Sequence, residues 1–316
     1  MRFFVRACLT LTIFLVLIPA APARATAISD INAGIAASKR GNTDLAIRLY
    51  TRAIAARTLS RKHLAIVHNN RGIAYAAKRQ QARAIADYTR AIKIDPKYAT
   101  AHYNRAIAWS AQRNFKRATA DYTKAVRLNP KYARAYNNRG VLYANVRRYK
   151  SALADYNRAI KIRPKYAKAY YNRANAWRLN EIYHRAIADY TRAIKYQRNN
   201  SSAYYYRGRS YAGEGSYRRA IKDFTRVIKL KPKHGRAFYH RGLAYAGIKQ
   251  HSRAISDFTR TIRLESRFSD AYYNRALAFE KLGRRKAALR DYRQGQLIAP
   301  GDLDFALALK RLGAGR

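Results

Sequence analysis

Cysteine is nearly missing from this chain of 316 residues, in which Cys8 is the only one. The chain therefore cannot form an internal disulfide, and it cannot build a metal site from several thiolates. The seven histidines show no metal-ligand spacing such as a His-Glu-x-x-His motif. No two carboxylates stand out as a general acid–base pair. We therefore expect a non-catalytic protein that needs no metal and no cofactor.

Long apolar runs are equally scarce, and the only one covers residues 7–18. It follows Arg2 and Arg6 and precedes two small-x-small sites that end at Ala25 and Ala27. A membrane-spanning helix needs about 20 apolar residues, so this arrangement is typical of a secretory signal peptide. We predict that residues 1–27 direct export, with an uncleaved anchor as the alternative. The lack of disulfides favours the bacterial periplasm or cell envelope, and no transmembrane helix is expected in the mature chain.

The main feature that the sequence does contain is a repeat of 34 residues. An aspartate followed by an aromatic residue recurs at this spacing without insertion or deletion. The seven pairs are Asp87-Tyr88, Asp121-Tyr122, Asp155-Tyr156, Asp189-Tyr190, Asp223-Phe224, Asp257-Phe258 and Asp291-Tyr292. An arginine keeps the same period, and so does a proline in most units. A fixed period in this range predicts structural repeats that stack on one another.

Each repeat contains two apolar patterns with helical spacing. In residues 99–132 the first pattern includes Ala106 and Trp109, and the second includes Ala118 and Tyr122. Polar residues separate the two patterns, and Pro130 ends the second one. We predict an antiparallel helical hairpin in every repeat. A single hairpin cannot bury its apolar side alone, so neighbouring hairpins must stack.

These positions resemble the tetratricopeptide repeat family in unit length and in the placement of small, aromatic and proline residues. Seven contiguous units and an eighth, earlier one share the pattern. They are 65–98, 99–132, 133–166, 167–200, 201–234, 235–268, 269–302 and 27–60, with four extra residues before Ala65. The resemblance implies an all-α, right-handed superhelical solenoid of antiparallel helix pairs over residues 28–302. Residues 303–316 are predicted to form a capping helix and a tail, with Leu303, Phe305 and Leu307 among the residues that cover the stack.

One departure from the family pattern is systematic, because arginine stands where the family usually has leucine. Residues equidistant from the turn of a hairpin face each other, so Arg105 should lie opposite Asp121. We predict a partly buried ion pair in each of the seven repeats. The pairs are Arg71–Asp87, Arg105–Asp121, Arg139–Asp155, Arg173–Asp189, Arg207–Asp223, Arg241–Asp257 and Arg275–Asp291. The alternative is a ladder of arginines that binds anions.

Acidic residues are few in number: 66 lysines and arginines face 17 aspartates and glutamates, a net charge of +49. Basic residues recur at two places, three residues apart, on the second helix of most repeats. They are Arg90, Lys124, Arg158, Arg192, Arg226 and Arg260, with Lys93, Arg127, Lys161, Lys195, Lys229 and Arg263. Residues at this spacing share a helix face, so we predict a basic band that attracts anionic partners. A general bias toward basic residues would explain the same numbers.

The family resemblance implies that the first helices line a concave groove with their second, fifth, ninth and twelfth residues. The predicted groove residues are Tyr103, Arg134, Asn137, Lys168, Tyr171, Asn175, Arg178, Tyr205, Arg209, Tyr239 and Tyr273. Tyrosine, asparagine and arginine suit an extended peptide, since rigid rings supply contact area and amides bond its backbone. The alternative is that some of these tyrosines only pack against the adjacent helix.

We therefore predict a scaffold that holds an extended or acidic segment of a partner protein in this groove. The alternative function is a basic adaptor for an anionic envelope polymer, such as an acidic glycan, or for the lipid headgroups of a membrane. Nucleic acid is expected as a partner only if residues 1–27 are not an export signal.

Overall fold

The computed structural model describes residues 23–313, which form seventeen α-helices and no strand. The helices are α1 (Ala23–Lys39), α2 (Thr43–Ala55), α3 (Arg61–Ala77), α4 (Gln81–Ile94), α5 (Ala99–Ala111), α6 (Phe115–Leu128), α7 (Ala133–Asn145), α8 (Tyr149–Ile162), α9 (Ala167–Leu179), α10 (Tyr183–Tyr196), α11 (Ser201–Gly213), α12 (Tyr217–Leu230), α13 (Gly235–Gly247), α14 (His251–Leu264), α15 (Ser269–Lys281), α16 (Arg285–Ile298) and α17 (Leu303–Arg311). The predicted all-α repeat fold is confirmed.

The helices belong to two compact units, one that ends at Leu128 and one that begins at Asn129. In the first unit, α1 pairs with α2, α3 with α4 and α5 with α6, and each hairpin packs on the next. The second unit repeats this arrangement from α7 to α16 and ends with α17 packed on α16. Each hairpin thus covers the apolar side of its neighbour within a unit, as stacked repeats require.

Most of the predicted signal peptide, residues 1–22, lies outside the described residues. Residues 23–27 form the beginning of α1, four residues before the predicted start of the first repeat, and Ala27 is buried there. Cleavage after Ala25 or Ala27 stays a prediction. Among the helices of residues 23–313, none combines the length and the apolar character that crossing a bilayer requires.

The four extra residues before Ala65 lengthen a helix rather than a loop. Helix α3 begins at Arg61 and has 17 residues, whereas the first helices of the later repeats have 13. The side chain of Ser60 accepts a hydrogen bond from the backbone N–H of His63 and so caps this extra turn. The extra turn therefore precedes the repeat unit that was predicted to begin at Ala65.

The core of each hairpin combines small residues with one large ring. In the α7–α8 hairpin, Ala152, Tyr156 and Ala159 are almost completely buried. A Cβ atom on Gly140 would lie 2.8 Å from Cε1 of Tyr156, so the missing side chain makes room for the ring. The small residues let two helix backbones approach closely, and the ring fills the space beside them.

Helix α17 closes the second unit, and here the glycine lies on the second helix of the hairpin while the large ring comes from α17. Its Phe305 is fully buried, and a Cβ atom on Gly295 of α16 would lie only 2.0 Å from Cε1 of that ring. Asp302 caps the helix through the backbone N–H of Asp304. Leu303 and Leu307, predicted to cover the stack, are instead 73% and 63% exposed. They are four residues apart and share a helix face that points away from the side of Phe305.

We predict that Gly295→Ala destabilises the end of the second unit, because the added methyl group overlaps the ring of Phe305. Overpacking of this kind costs about 1–3 kcal/mol. Thermal unfolding and amide hydrogen exchange of α17 measure the effect. Gly301→Ala is the matched control, since no atom lies within 4 Å of its added Cβ. Equal stability of the two variants would contradict the packing described for α17.

Candidate functional site

All seven predicted arginine–aspartate pairs form, and each is bidentate. In the α7–α8 hairpin, Arg139 donates from Nε to Asp155 Oδ2 at 2.9 Å and from Nη2 to Oδ1 at 2.8 Å. The corresponding distances in the other six repeats are 2.7–2.8 Å. The aspartates are buried, and the arginine side chains are only 13–19% exposed. These guanidinium groups are occupied by aspartate, so they do not form an open anion-binding ladder.

A third hydrogen bond from the same guanidinium reaches the preceding hairpin, which the sequence reasoning missed. Arg207 donates from Nη1 to Thr191 Oγ1 at 2.9 Å, and Arg241 donates to Thr225 at 3.0 Å. The equivalent bonds are Arg71–Thr51, Arg105–Thr89, Arg173–Asn157 and Arg275–Thr259. A threonine or asparagine two residues after most of the aspartates was the available signal. Each of these arginines therefore ties its own hairpin to the one before it.

In the first unit a histidine joins the ion pair. The Nδ1 atom of His68 lies 3.1 Å from Asp87 Oδ1, and that of His102 lies 3.3 Å from Asp121 Oδ1. Burial raises the pKa of Asp87, but the hydrogen bonds from Arg71 and His68 together outweigh it and lower the pKa to about 2. Asp87 therefore stays ionised well below neutral pH and keeps its structural role.

The eleven predicted groove residues differ in their exposure. Arg134, Lys168 and Arg209 are exposed, and Tyr103, Tyr171, Asn175, Arg178, Tyr239 and Tyr273 are half-buried, while Asn137 and Tyr205 are buried. The structure thus leaves nine of the eleven with surface that a ligand could touch.

Asn137 and Tyr205 are wrong as groove residues. Asn137 is fully buried and accepts a hydrogen bond from Asn172 Nδ2 at 2.9 Å, which links α7 to α9. Asn69 and Asn104 make the same link between α3 and α5. Both corrected residues are fifth in their helix, where the side chain faces the first helix of the next repeat. A short amide bonds there, whereas the larger ring of Tyr205 packs into the core and is 8% exposed.

Three further tyrosines mainly pack within their own hairpins, as the alternative interpretation proposed. The ring centroids of Tyr103 and Tyr122 are 5.8 Å apart. Those of Tyr239 and Phe258 are also 5.8 Å apart, and those of Tyr273 and Tyr292 are 5.6 Å apart. These contacts fix the rings in the core of each hairpin and reduce the area that they offer to a partner.

Tyr171, Asn175 and Arg178 come together in a cleft of about 240 Å³ between α7, α9 and α11. The cleft also includes residues that the sequence reasoning did not select. Its full lining is Val141, Ala144, Asn145, Tyr156, Tyr171, Asn172, Asn175, Ala176, Arg178, Leu179 and Tyr206. None of these residues carries a negative charge. Val141 and Ala144 are the ninth and twelfth residues of α7, so they occupy predicted groove positions. Tyr156 belongs to α8, and the other added residues lie next to predicted positions.

The cleft presents hydrogen-bond donors beside aromatic and aliphatic surface. The guanidinium carbon of Arg178 lies 4.9 Å from the ring centroid of Tyr206, in cation–π geometry. Its Nε atom is buried and has no hydrogen-bond partner within residues 23–313. Tyr190 donates to Asn175 Oδ1 at 2.6 Å, and the Asn175 side chain is also hydrogen-bonded to Tyr171. Burial raises the pKa of Tyr171, so its phenol is neutral at physiological pH.

The described residues also lack a metal-binding cluster. Over residues 23–313, three or more histidine, cysteine, aspartate or glutamate side chains nowhere cluster in a way that could hold one. The cleft of α7, α9 and α11 is the candidate site, and its arginine and asparagine side chains are of a kind that can hydrogen-bond to carboxylate or amide groups.

Three family models, each described as tetratricopeptide repeat, match this chain. The first matches residues 65–98, 99–132 and 133–166, the second matches 175–217 and 207–258, and the third matches 269–302. Together they cover more than half of the chain. Among the curated proteins, none has significant sequence similarity to it.

Solved structures with the same fold include that of YrrB, described as a TPR protein with an unusual peptide-binding site. It is 25% identical to this chain, with a TM-score of 0.55 over 60% of this chain and 97% of YrrB. The type IV pilus biogenesis factor PilW is 20% identical, with a TM-score of 0.58 over 67% of this chain and 98% of its own. A tetratricopeptide repeat protein from Parabacteroides merdae is 17% identical, with a TM-score of 0.56 over 79% and 99%. The last two similarities concern the fold alone.

We predict that Asp155→Ala destabilises the protein far more than Asp270→Ala. Removing Asp155 leaves the partly buried Arg139 without its carboxylate, which costs about 3–5 kcal/mol. Asp270 is exposed and forms no ion pair within residues 23–313. Thermal unfolding followed by circular dichroism compares the two variants. Equal melting temperatures would show that the pair contributes nothing to stability.

Proposed function

The chain belongs to the tetratricopeptide repeat family, whose members generally serve as non-catalytic scaffolds for protein–protein interaction, and from this premise we propose that it holds an extended, acidic segment of a partner protein. The binding site is the cleft of α7, α9 and α11. The partner contributes a carboxylate side chain to the cleft and runs on across the first helices.

The unbonded Nε of Arg178 is the observation that carries this proposal. A buried donor without a partner costs about 1–3 kcal/mol, and a carboxylate that enters the cleft would remove that cost. Tyr206 holds the guanidinium group in place through the cation–π contact. An arginine fixed in this way binds a carboxylate with less loss of side-chain entropy than a mobile lysine.

The rest of the cleft suits the backbone of an extended peptide. The exposed amide of Asn145 provides donors and an acceptor, and the amide oxygen of Asn172 provides a further acceptor. Val141 and Leu179 provide apolar contact area. Exposed Arg134, Lys168 and Arg209 lie on the same three helices and attract a negatively charged segment. The similarity to YrrB, whose description names a peptide-binding site, supports a peptide ligand.

The predicted export signal supports a partner in the bacterial envelope. Residues 1–27 carry the positive start, the apolar run and the small-residue sites that such signals have. A reporter without its own signal, such as alkaline phosphatase fused after residue 27, tests this location by its activity outside the cytoplasm.

We predict that Arg178→Gln lowers the affinity for acidic peptides about tenfold, which corresponds to 1.4 kcal/mol. The probe is a synthetic library of decapeptides with and without aspartate and glutamate, from which the tightest binders are selected on the wild-type protein. Affinities are then measured by fluorescence anisotropy. We expect Tyr206→Ala to weaken the same peptides, because it frees the guanidinium group.

Arg134→Gln is the matched control, since it removes one positive charge from α7 outside the cleft and should change the affinity less than threefold, a general screening effect. If the library yields no acidic binder, or if Arg178→Gln and Arg134→Gln weaken it equally, the cleft is not the binding site.

A further inference from the structure

Two arginines, seven residues apart, recur on the second helices of three successive hairpins in the second unit. This set is the arginine grid: Arg185 and Arg192 in α10, Arg219 and Arg226 in α12, and Arg253 and Arg260 in α14. Seven residues are close to two helical turns, so both members on each helix lie on one face. Four of the six are exposed, and Arg226 and Arg260 are half-buried.

Every guanidinium group of the arginine grid lies over an aromatic ring from the first helix of its own hairpin. The distances from guanidinium carbon to ring centroid run from 4.9 to 6.0 Å. The pairs are Arg185–Trp177, Arg192–Tyr170, Arg219–Tyr211, Arg226–Tyr204, Arg253–Tyr245 and Arg260–Phe238. Cation–π contacts contribute about 0.5–1 kcal/mol each at exposed sites. They hold the charges at fixed positions, so a ligand would immobilise them at little further entropic cost.

No carboxylate neutralises the arginine grid. The only acidic residues of α10, α12 and α14 are Asp189, Asp223 and Asp257, and each accepts two hydrogen bonds from the arginine on the first helix of its own hairpin. No grid member forms an ion pair within residues 23–313.

The first unit keeps an arginine over a ring at the first place, with Arg83 over Tyr75 and Arg117 over Trp109, but it differs at the second place. There Arg90, at the place of Arg192, donates to Asp87 Oδ1 at 3.1 Å, and His68 stands where the second unit has Tyr170. The ring of Tyr170 instead takes up the guanidinium of Arg192 and leaves its charge unpaired.

We propose that the arginine grid binds a linear phosphate polymer. Guanidinium groups match the oxygens of a phosphate with two parallel hydrogen bonds, and a row of them suits a ligand whose charges also repeat. Exposed Lys195, Lys229 and Arg263, three residues after grid members, add positive charge. This surface is made by second helices, whereas the peptide cleft is made by first helices, so the inference does not rest on the proposed function.

The same face lacks what a membrane or a nucleic acid would use. Helices that lie on a bilayer insert large apolar side chains, but among α10, α12 and α14 only Tyr196 exposes one, at 37%. Single-stranded nucleic acids stack their bases on open aromatic faces. Here arginines lie over all six rings, of which Tyr170 and Phe238 are only 4% and 9% exposed and the other four are half-buried. A polymer without acyl chains or bases fits best.

Fluorescence anisotropy with an end-labelled linear polyphosphate tests the proposal. The triple variant Arg192→Gln, Arg226→Gln and Arg260→Gln should bind at least tenfold more weakly than the wild type. Its plot of log affinity against log salt should lose a slope of about 2, from three lost contacts at roughly 0.7 each. The control triple Lys168→Gln, Arg209→Gln and Arg236→Gln removes the same charge from exposed sites on first helices and should lose less than threefold.

The corresponding Arg→Lys triple keeps the positive charge but cannot form two parallel hydrogen bonds to one phosphate, so we expect an intermediate loss of polyphosphate affinity. If circular dichroism shows that the Arg→Gln triple unfolds, the polyphosphate affinity of the Arg→Lys triple is compared with that of the wild type instead. Equal weakening by the grid triple and the control triple would overturn the proposal, because it would mean unspecific attraction. So would tighter binding of phosphatidylserine vesicles or single-stranded DNA than of polyphosphate at the same phosphate concentration. Binding of acidic peptides by the grid triple should be unchanged.

Discussion

The buried pair of arginine and aspartate is the constraint on which the rest of this fold depends. A carboxylate such as that of Asp155 is withdrawn from water in every hairpin, and its stability requires that both oxygens be satisfied. The arginine of the first helix satisfies them with two parallel hydrogen bonds, which fix the distance and the rotation of one helix against the other. The surrounding alanines are too small to define this geometry alone. A polar contact thus supplies the specificity that large apolar side chains supply in other cores.

The same arginines also explain how hairpins are joined within a unit. Because Arg207 and Arg241 reach back to a threonine of the preceding hairpin, one guanidinium group serves three helices. The asparagine links, such as that from Asn172 to Asn137, add a second polar connection between successive first helices. The interfaces between hairpins are therefore held in register by hydrogen bonds as well as by burial.

The periodicity of the sequence was enough to predict the hairpins, their boundaries to within about a turn, and the partners in each ion pair. The periodicity was not enough to predict how deeply each groove side chain is buried. The fifth residue of a first helix lies at the edge of the exposed face, so its burial depends on the neighbouring hairpin. Asn137 is short enough to bond there and disappears from the surface, and Tyr205 falls against the core, whereas Tyr171 keeps some surface in the cleft. The link from Arg207 to Thr191 was equally hidden, because it joins residues of different repeats.

The use of nearly all interior aspartates by one set of arginines leaves the second helices with a surplus of positive charge, and the rings of the second unit keep part of that surplus in fixed positions.

A separate consequence concerns how such a gene can change in length. Since the arginine links connect only adjacent hairpins of the same design, unequal recombination could insert or delete a whole repeat in the interior without leaving any aspartate unmatched. The last hairpin is exempt from this exchange, because the other repeats carry alanine, valine or threonine at the position of Gly295 and any Cβ atom there would clash with Phe305.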